Sequence, residues 1–165
     1  MLIRHSHPED RERILEIYAR ARAFMAQAGN PTQWGDDYPP EEAILGDIEG
    51  ATADCGYVCE HEGRVVGVFF FRVGDDPDYA TIDGAWIDPS PYGVIHRIAS
   101  DGTVKGTGEF CIRWALEQHP HIRIDTHADN APMRHILDKL GFTYCGIIYV
   151  DAHEENSPRV AYEHV

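Results

Sequence analysis

One domain of the α+β class, with helices laid on the faces of a single mixed sheet, is what this sequence predicts, and three observations carry the prediction. The chain has 165 residues, 43% of them hydrophobic, which is ample for one cored domain and short for two. In the middle of the chain, "YVCEH", "EG" and "RVVGVFFFRV" form a hairpin signature whose second strand is apolar on both faces and therefore central. After it, apolar spacing alternates between strand and helix periods, giving strand, helix, strand, helix, strand. Such an order implies right-handed crossovers and a ligand site beyond the carboxyl ends of strands.

The elements follow in order. "LIRHS" reads as a short strand, and Ser6 with Glu9 has capping-box spacing before a helix with Ile14, Leu15, Tyr18, Ala21 and Met25 on one face. That helix ends near "AGNP". A shorter helix runs from about Pro40 to Ile48 with an acidic first turn that suits the dipole, and Gly50 stops it. Beyond the hairpin, "YATIDGAWI" and "YGVIHRIAS" read as further strands. A helix from Gly106 to Gln118 follows, then the strand "HIRIDTH", the helix "APMRHILDKLGF" and closing strands "YCGIIYV" and "RVAYEHV". No repeat, low-complexity segment or linker interrupts residues 1–165, so the whole chain is one unit.

Composition excludes several classes. A formal charge of -14, from 14 Lys+Arg against 28 Asp+Glu, cannot supply the basic face that nucleic acid needs, and it leans toward cationic partners. No apolar run approaches the roughly 20 residues of a membrane span, and "MLIRHSHPED" turns polar too soon for a signal peptide, so a cytoplasmic protein without membrane contact is expected. Cys55, Cys59, Cys111 and Cys145 sit in apolar or strand-like segments at no zinc-finger spacing, which favours free buried thiols. His5 with His7, His119 with His121, and Cys55 with Cys59 lack a third ligand, so no metal is expected. Oligomeric state is not fixed by any feature; a homodimer stays open.

The glycines in "SDGTVKGTGEFCIRWALEQ" pose the chemical question. Glycine supplies positive φ where a strand becomes a helix, and a bare helix start also offers unpaired N–H groups and a positive dipole end to an anion. Together with "DNAPMRHILDKLGF", this segment resembles the GNAT superfamily of N-acetyltransferases, which use acetyl-coenzyme A. The family loop, Q/R-x-x-G-x-G/A, aligns with Thr103, Val104, Lys105, Gly106, Thr107 and Gly108, with Thr103 in place of Gln or Arg. In the second segment the family pattern N-x-x-A-x-x-L-Y-x-x-x-G-F aligns with Asn130, Met133, Ile136, Leu137, Gly141 and Phe142. Leu137 stands where the family often has a tyrosine that protonates the departing thiolate, a role leucine cannot fill. "QWGDDYPPEEAILGDIEG" is similar to the segment that lies near the acceptor site in many bacterial members.

The resemblance implies a three-layer fold with a mostly antiparallel twisted sheet of roughly seven strands and about four helices. It implies that Arg97, Ile98 and Ala99 offer main-chain groups to the pantetheine, that Thr103 to Gly108 cradle the pyrophosphate, and that Asn130 and Met133 contact the coenzyme; Asn130 also suits a helix N-cap. Trp34 and Tyr38 either wall an acceptor pocket or pin their loop to the core, and Tyr92 and Asp125 are further candidates on the acceptor side. For proton transfer His96 is the nearest titratable side chain, read either as base or as a satisfied core residue; His127 and Asp125 come second, and Tyr92 and Tyr149 are proton-donor candidates. The expected activity is transfer of an acetyl group from acetyl-CoA to a primary amine of a small molecule or peptide by direct attack. A catalytically silent CoA-binding or sensing protein is the alternative, which Thr103 and Leu137 keep open.

Overall fold

Ile14, Ile17, Tyr18 and Ala21 fall on one stripe of α1 (Arg11–Gln27), and all four are buried. The computed structural model, which describes residues 1–150 and 157–165, seats that stripe on a sheet beside Ile44 and Ile48 of α2 (Glu41–Glu49). On the other face lie α3 (Thr107–Gln118) and α4 (Ala131–Lys139), which bury Cys111, Ile112, Ala115 and Leu137. The strands between them are β1 (Leu2–His5), β2 (Gly56–His61), β3 (Arg64–Val73), β4 (Asp83–Gly84), β5 (Gly93–Ser100), β6 (Ile122–Thr126), β7 (Thr143–Val150) and β8 (Ser157–His164). Their order across the sheet is β1-β2-β3-β5-β6-β8-β7-β4. Only β5 and β6 pair in parallel; the other described pairs are antiparallel.

β3 explains why one strand reads apolar on both sides. Val68 joins the cluster under α1 and α2, while its neighbour Phe69 joins the cluster under α3 and α4. Burial of one such side chain is worth roughly 1.5–3 kcal/mol, so both layers are anchored on this strand. A third cluster, around Phe70, Tyr79, Tyr92, Val94 and Ile148, lies beneath the connection from β3 to β5. All four cysteines are free: Cys55, Cys59 and Cys111 are buried and Cys145 is partly exposed.

Three expectations change. Among the described residues the sheet has eight strands rather than roughly seven. "YATIDGAWI" contributes only the two residues of β4, because Tyr79 ends a 3-10 turn and Trp86 folds back to donate its indole N–H to Tyr79 O at 3.0 Å. Its alternation records side chains tucked under a loop. β4 pairs closely with β7: an added Cβ on Gly84 would stand 2.1 Å from Cys145 O, so only glycine fits. Ser6 does not cap α1. Its hydroxyl donates to Asp47 O at 2.9 Å, and it is Asp10 that accepts the His7 N–H at 2.9 Å ahead of a helix starting at Arg11.

Candidate active site

β5 and β6 pair at Gly93–Ile122 and Val94–Arg123 and nowhere beyond. Past that point β5 carries a bulge: Phe70 of β3 faces His96 and Val68 faces Ala99, leaving Arg97 and Ile98 opposite Phe69 alone. Arg97 takes φ +52, in the left-handed region that a side chain resists, and its surroundings hold it there. Tyr18 donates its hydroxyl to Arg97 O at 3.0 Å, and the guanidinium grips Asp47 through contacts of 2.7–3.0 Å while lying 4.7 Å from the Phe70 ring centre. The two strands therefore part, and two cavities occupy the gap.

The first is a groove of about 550 Å³ lined by Ile98, Ala99, Gly102, Val104 to Gly108, and across from them Asn130, Met133 and Ile136, with Phe24 and Met25 of α1 at its side. The turn entering α3 is fixed by Asp101, whose buried carboxylate accepts from Arg13, Arg64 and the Thr103 N–H. Gly106 is the N-cap, with φ +80 and open space where a Cβ would stand, and no side chain caps the first turn. Glu109, the acid of that turn, is engaged by Lys139 at 2.7 Å and Arg113 at 2.9 Å, and their hydrogen bonds hold its carboxyl below the ordinary range. What faces the groove is thus bare backbone at a positive dipole end between apolar walls, a donor set suited to a phosphorylated ligand.

The second cavity, about 90 Å³, shares Met25, Ile98, Asn130 and Met133 with the groove. Trp34, Tyr38, Asp78, His96, Asp125 and Thr126 supply most of its chemistry. His96 Nε2 lies 2.8 Å from Asp76 Oδ2, and His96 Nδ1 lies 3.9 Å from Asp125 Oδ1. Asp125 in turn accepts the hydroxyl of the buried Tyr79 at 2.8 Å; burial and that carboxylate push the Tyr79 hydroxyl well above the ordinary tyrosine value. One wall is an amide network in which Asn30 and Asn130 both donate to Gln33 Oε1, at 2.7 and 2.9 Å.

Residues 12–142 match the Acetyltransferase (GNAT) family. The chain belongs to that family. An acetyltransferase of the GNAT family from Streptococcus agalactiae is 30% identical, with a TM-score of 0.85 over 99% of this chain and 94% of that one. A ribosomal-protein-alanine N-acetyltransferase from Brucella melitensis shares the fold at 17% identity, TM-score 0.67, over 100% and 99% of the two chains. So does yncA from Salmonella typhimurium, solved with its cofactor acetyl-CoA, at 17% identity and TM-score 0.64 over 98% and 91%. No curated protein matches the chain.

In this GNAT member the structure gathers most of the expected site residues and disperses some. Ile98, Ala99, Val104, Lys105, Gly106, Thr107, Gly108, Asn130 and Met133 line the groove, and Asn130 also caps α4 by accepting the Met133 N–H at 3.2 Å. Arg97 turns instead to the smaller cavity, beside Trp34, Tyr38, His96 and Asp125. Thr103 lies off the groove wall, its hydroxyl bonded to Asp101 at 2.7 Å. Tyr92 is buried and accepts the Asp76 N–H at 3.1 Å, so it supports the site from behind. His127 stands outside both cavities, its Nδ1 accepting the Asp129 N–H at 3.2 Å. Tyr149 is also outside, because alternate residues of β7 face opposite ways and Val150 takes the inward position. Leu137 is core. Asp76, Asp78, Tyr79, Gln33 and Thr126 were not anticipated; "DDPDY" directly after the central strand was the available signal.

Among the described residues no three His, Cys, Asp or Glu side chains are placed to hold a metal ion. Among the described residues no helix is long and apolar enough to cross a membrane.

Proposed function

We propose that the chain is an acetyl-CoA-dependent N-acetyltransferase acting on the primary amine of a small molecule or peptide by direct attack. The observation that carries the reading is the adjacency of the two cavities: the groove with the bare first turn of α3 shares Met25, Ile98, Asn130 and Met133 as a common wall with a smaller pocket lined by His96 and Asp125. The groove fits acetyl-CoA by its chemistry, with backbone donors at Lys105 to Gly108 for phosphates and apolar walls at Ile98, Val104, Met133 and Ile136 for the pantetheine. The fold it shares with yncA, which was solved with acetyl-CoA, supports the same cosubstrate. When bound, acetyl-CoA supplies a thioester carbonyl to an amine in the pocket. The chain's own residues orient that amine between aromatic walls at Trp34 and Tyr38 and take its proton at His96. No residue is needed as a covalent nucleophile; Cys111 is fully buried in the core.

Calorimetric titration with acetyl-CoA tests the reading, alongside G106V and the double variant G106V/G108V. Binding by the wild-type protein that both variants lose while staying folded supports it; absence of binding by the wild-type protein removes it. Binding without thiol release in the presence of primary amines would instead favour a CoA-sensing role.

A further inference from the structure

An acceptor amine reaches a protein at neutral pH as an ammonium ion and must lose a proton before it can attack. We infer that Asp76 is a positioning residue that turns the Nδ1 lone pair of His96 into the pocket, and that Asp125 docks a small primary ammonium ion beside it. The inference deepens the transferase reading and rests on it.

The argument starts from donors and acceptors. His96 Nε2 is 2.8 Å from a carboxylate oxygen of Asp76, which can only accept, so Nε2 carries a ring proton and in the neutral ring Nδ1 is left with a lone pair. Nδ1 is 3.9 Å from Asp125 Oδ1, beyond hydrogen-bond distance, so two acceptors face one space without satisfying each other. A nitrogen at about 2.9 Å from both fits that notch. A primary ammonium brings three donors to it, while a hydroxyl brings one. Trp34 and Tyr38 form the adjoining wall, and aromatic faces hold both alkyl stems and ammonium groups. A cavity of about 90 Å³ admits only a few heavy atoms of the acceptor, which argues for an unbranched stem.

The carboxylates are themselves fixed. Asp76 is held by Tyr92, whose hydroxyl accepts its N–H at 3.1 Å, by the Asp78 N–H donating to Oδ1 at 3.0 Å, and by Arg72, 3.7 Å from Oδ2. Burial works to raise the Asp76 carboxyl, but bonds from His96 and the Asp78 amide hold it below the ordinary value, so it stays ionised. Asp125 is held by the Tyr79 hydroxyl. The other charged or titratable groups around His96 are Arg72 on β3, Asp78 in the turn after it, Tyr38 and Arg159 across the pocket, and Arg97 next on β5, already bonded to Asp47. In the reaction the ammonium gives one proton to His96 Nδ1. The freed amine then forms the C–N bond as the thioester C–S bond breaks, its second proton leaves with coenzyme A as the thiol, and His96 returns the first to solvent.

The test combines nitrogen-15 NMR of the imidazoles, with His96 assigned by its loss in H96Q, with thiol release from acetyl-CoA using propylamine as acceptor and calorimetry with acetyl-CoA. In the wild-type protein His96 should be protonated on Nε2. D76A should lose that preference and lower kcat about 10–100-fold with acetyl-CoA affinity unchanged, and D76E should recover part of both. D125N should raise KM for propylamine about tenfold or more while leaving the His96 tautomer as it was. Should D76A fail to fold, D76N carries the same readouts. A wild-type His96 protonated on Nδ1, or a D76A protein with tautomer and kcat unmoved, overturns the role of Asp76; an unmoved KM in D125N overturns that of Asp125. Acetyl-CoA binding without propylamine-dependent thiol release overturns the assignment of the pocket to small ammonium ions. A wild-type protein that does not bind acetyl-CoA sinks the transferase reading instead, and the NMR still decides whether Asp76 orients the ring.

Discussion

Two histidines, one on β5 and one just before β6, carry nearly the same bond to a carboxylate: His96 to Asp76 at 2.8 Å and His121 to Glu163 at 2.7 Å. The rest of their surroundings differ. At His121 the second ring nitrogen contacts Ser90 Oγ at 3.1 Å, and the carboxylate is shared with Arg123 at 2.8 Å and with the Ile87 amide, all sealed from solvent at Glu163. Arg123 is further clamped between Trp86 and Tyr92, its guanidinium 4.3 and 4.0 Å from their ring centres. At His96 the second nitrogen faces a cavity. A histidine–carboxylate pair is therefore a poor guide to chemistry by itself; an uncommitted nitrogen and room for a substrate make the difference.

Breaking each pair should separate the two roles. H96Q should lower kcat by about 10²–10⁴-fold, the usual worth of a positioned base, with acetyl-CoA affinity unchanged by calorimetry. E163A should do the reverse, destabilising the fold by about 3–5 kcal/mol in urea titration because Arg123 is left buried and uncompensated, with kcat of the folded fraction intact. Acid should expose the second pair more gently. Burial works to raise the Glu163 carboxyl, yet Arg123, His121 and the Ile87 amide hold it below its ordinary value, as their counterparts do for Asp76. Carboxyls depressed in the folded state contribute stability that is fully present above their unfolded value of about 4 and is lost as pH falls through the folded one. Urea midpoints should thus hold level from neutral pH to about 5 and fall below it, with a shallower fall in E163Q. The smallest effect belongs to S90A. Freeing Nδ1 of His121 should change stability by about 1 kcal/mol and kcat not at all, since His121 lines neither the groove nor the pocket beside His96.

How much of this could be read in advance depended on whether backbone or side chains built the feature. The groove was legible, because Gly106 and Gly108 in a strand-to-helix turn are local statements about φ and bulk, and most of one wall comes from residues 98–108. Trp34 and Tyr38 were legible as aromatics in a polar loop. The His96 environment was not: Asp76, Tyr79 and Asp125 converge from the turn after β3 and the end of β6, and nothing local in "DDPDY" says which acid meets a histidine twenty residues later. Tyr92 reads as an acceptor-side candidate and proton donor, whereas tertiary packing points its hydroxyl at the Asp76 backbone. Ser6 failed as a cap for a similar reason, its hydroxyl taken by Asp47, forty-one residues away.

The free cysteines have a practical consequence. Burial pushes the thiols of Cys55 and Cys145 up to about 11, and Cys145 is raised further by the nearby Glu163 carboxylate. A thiol so raised is scarcely ionised at neutral pH, and thiolate is the form that reacts. Cys145, the one cysteine with appreciable solvent access, is thus almost inert toward disulfide reagents such as Ellman's, so coenzyme A liberated in a colorimetric assay would be counted over a quiet protein background, without masking any residue by mutation.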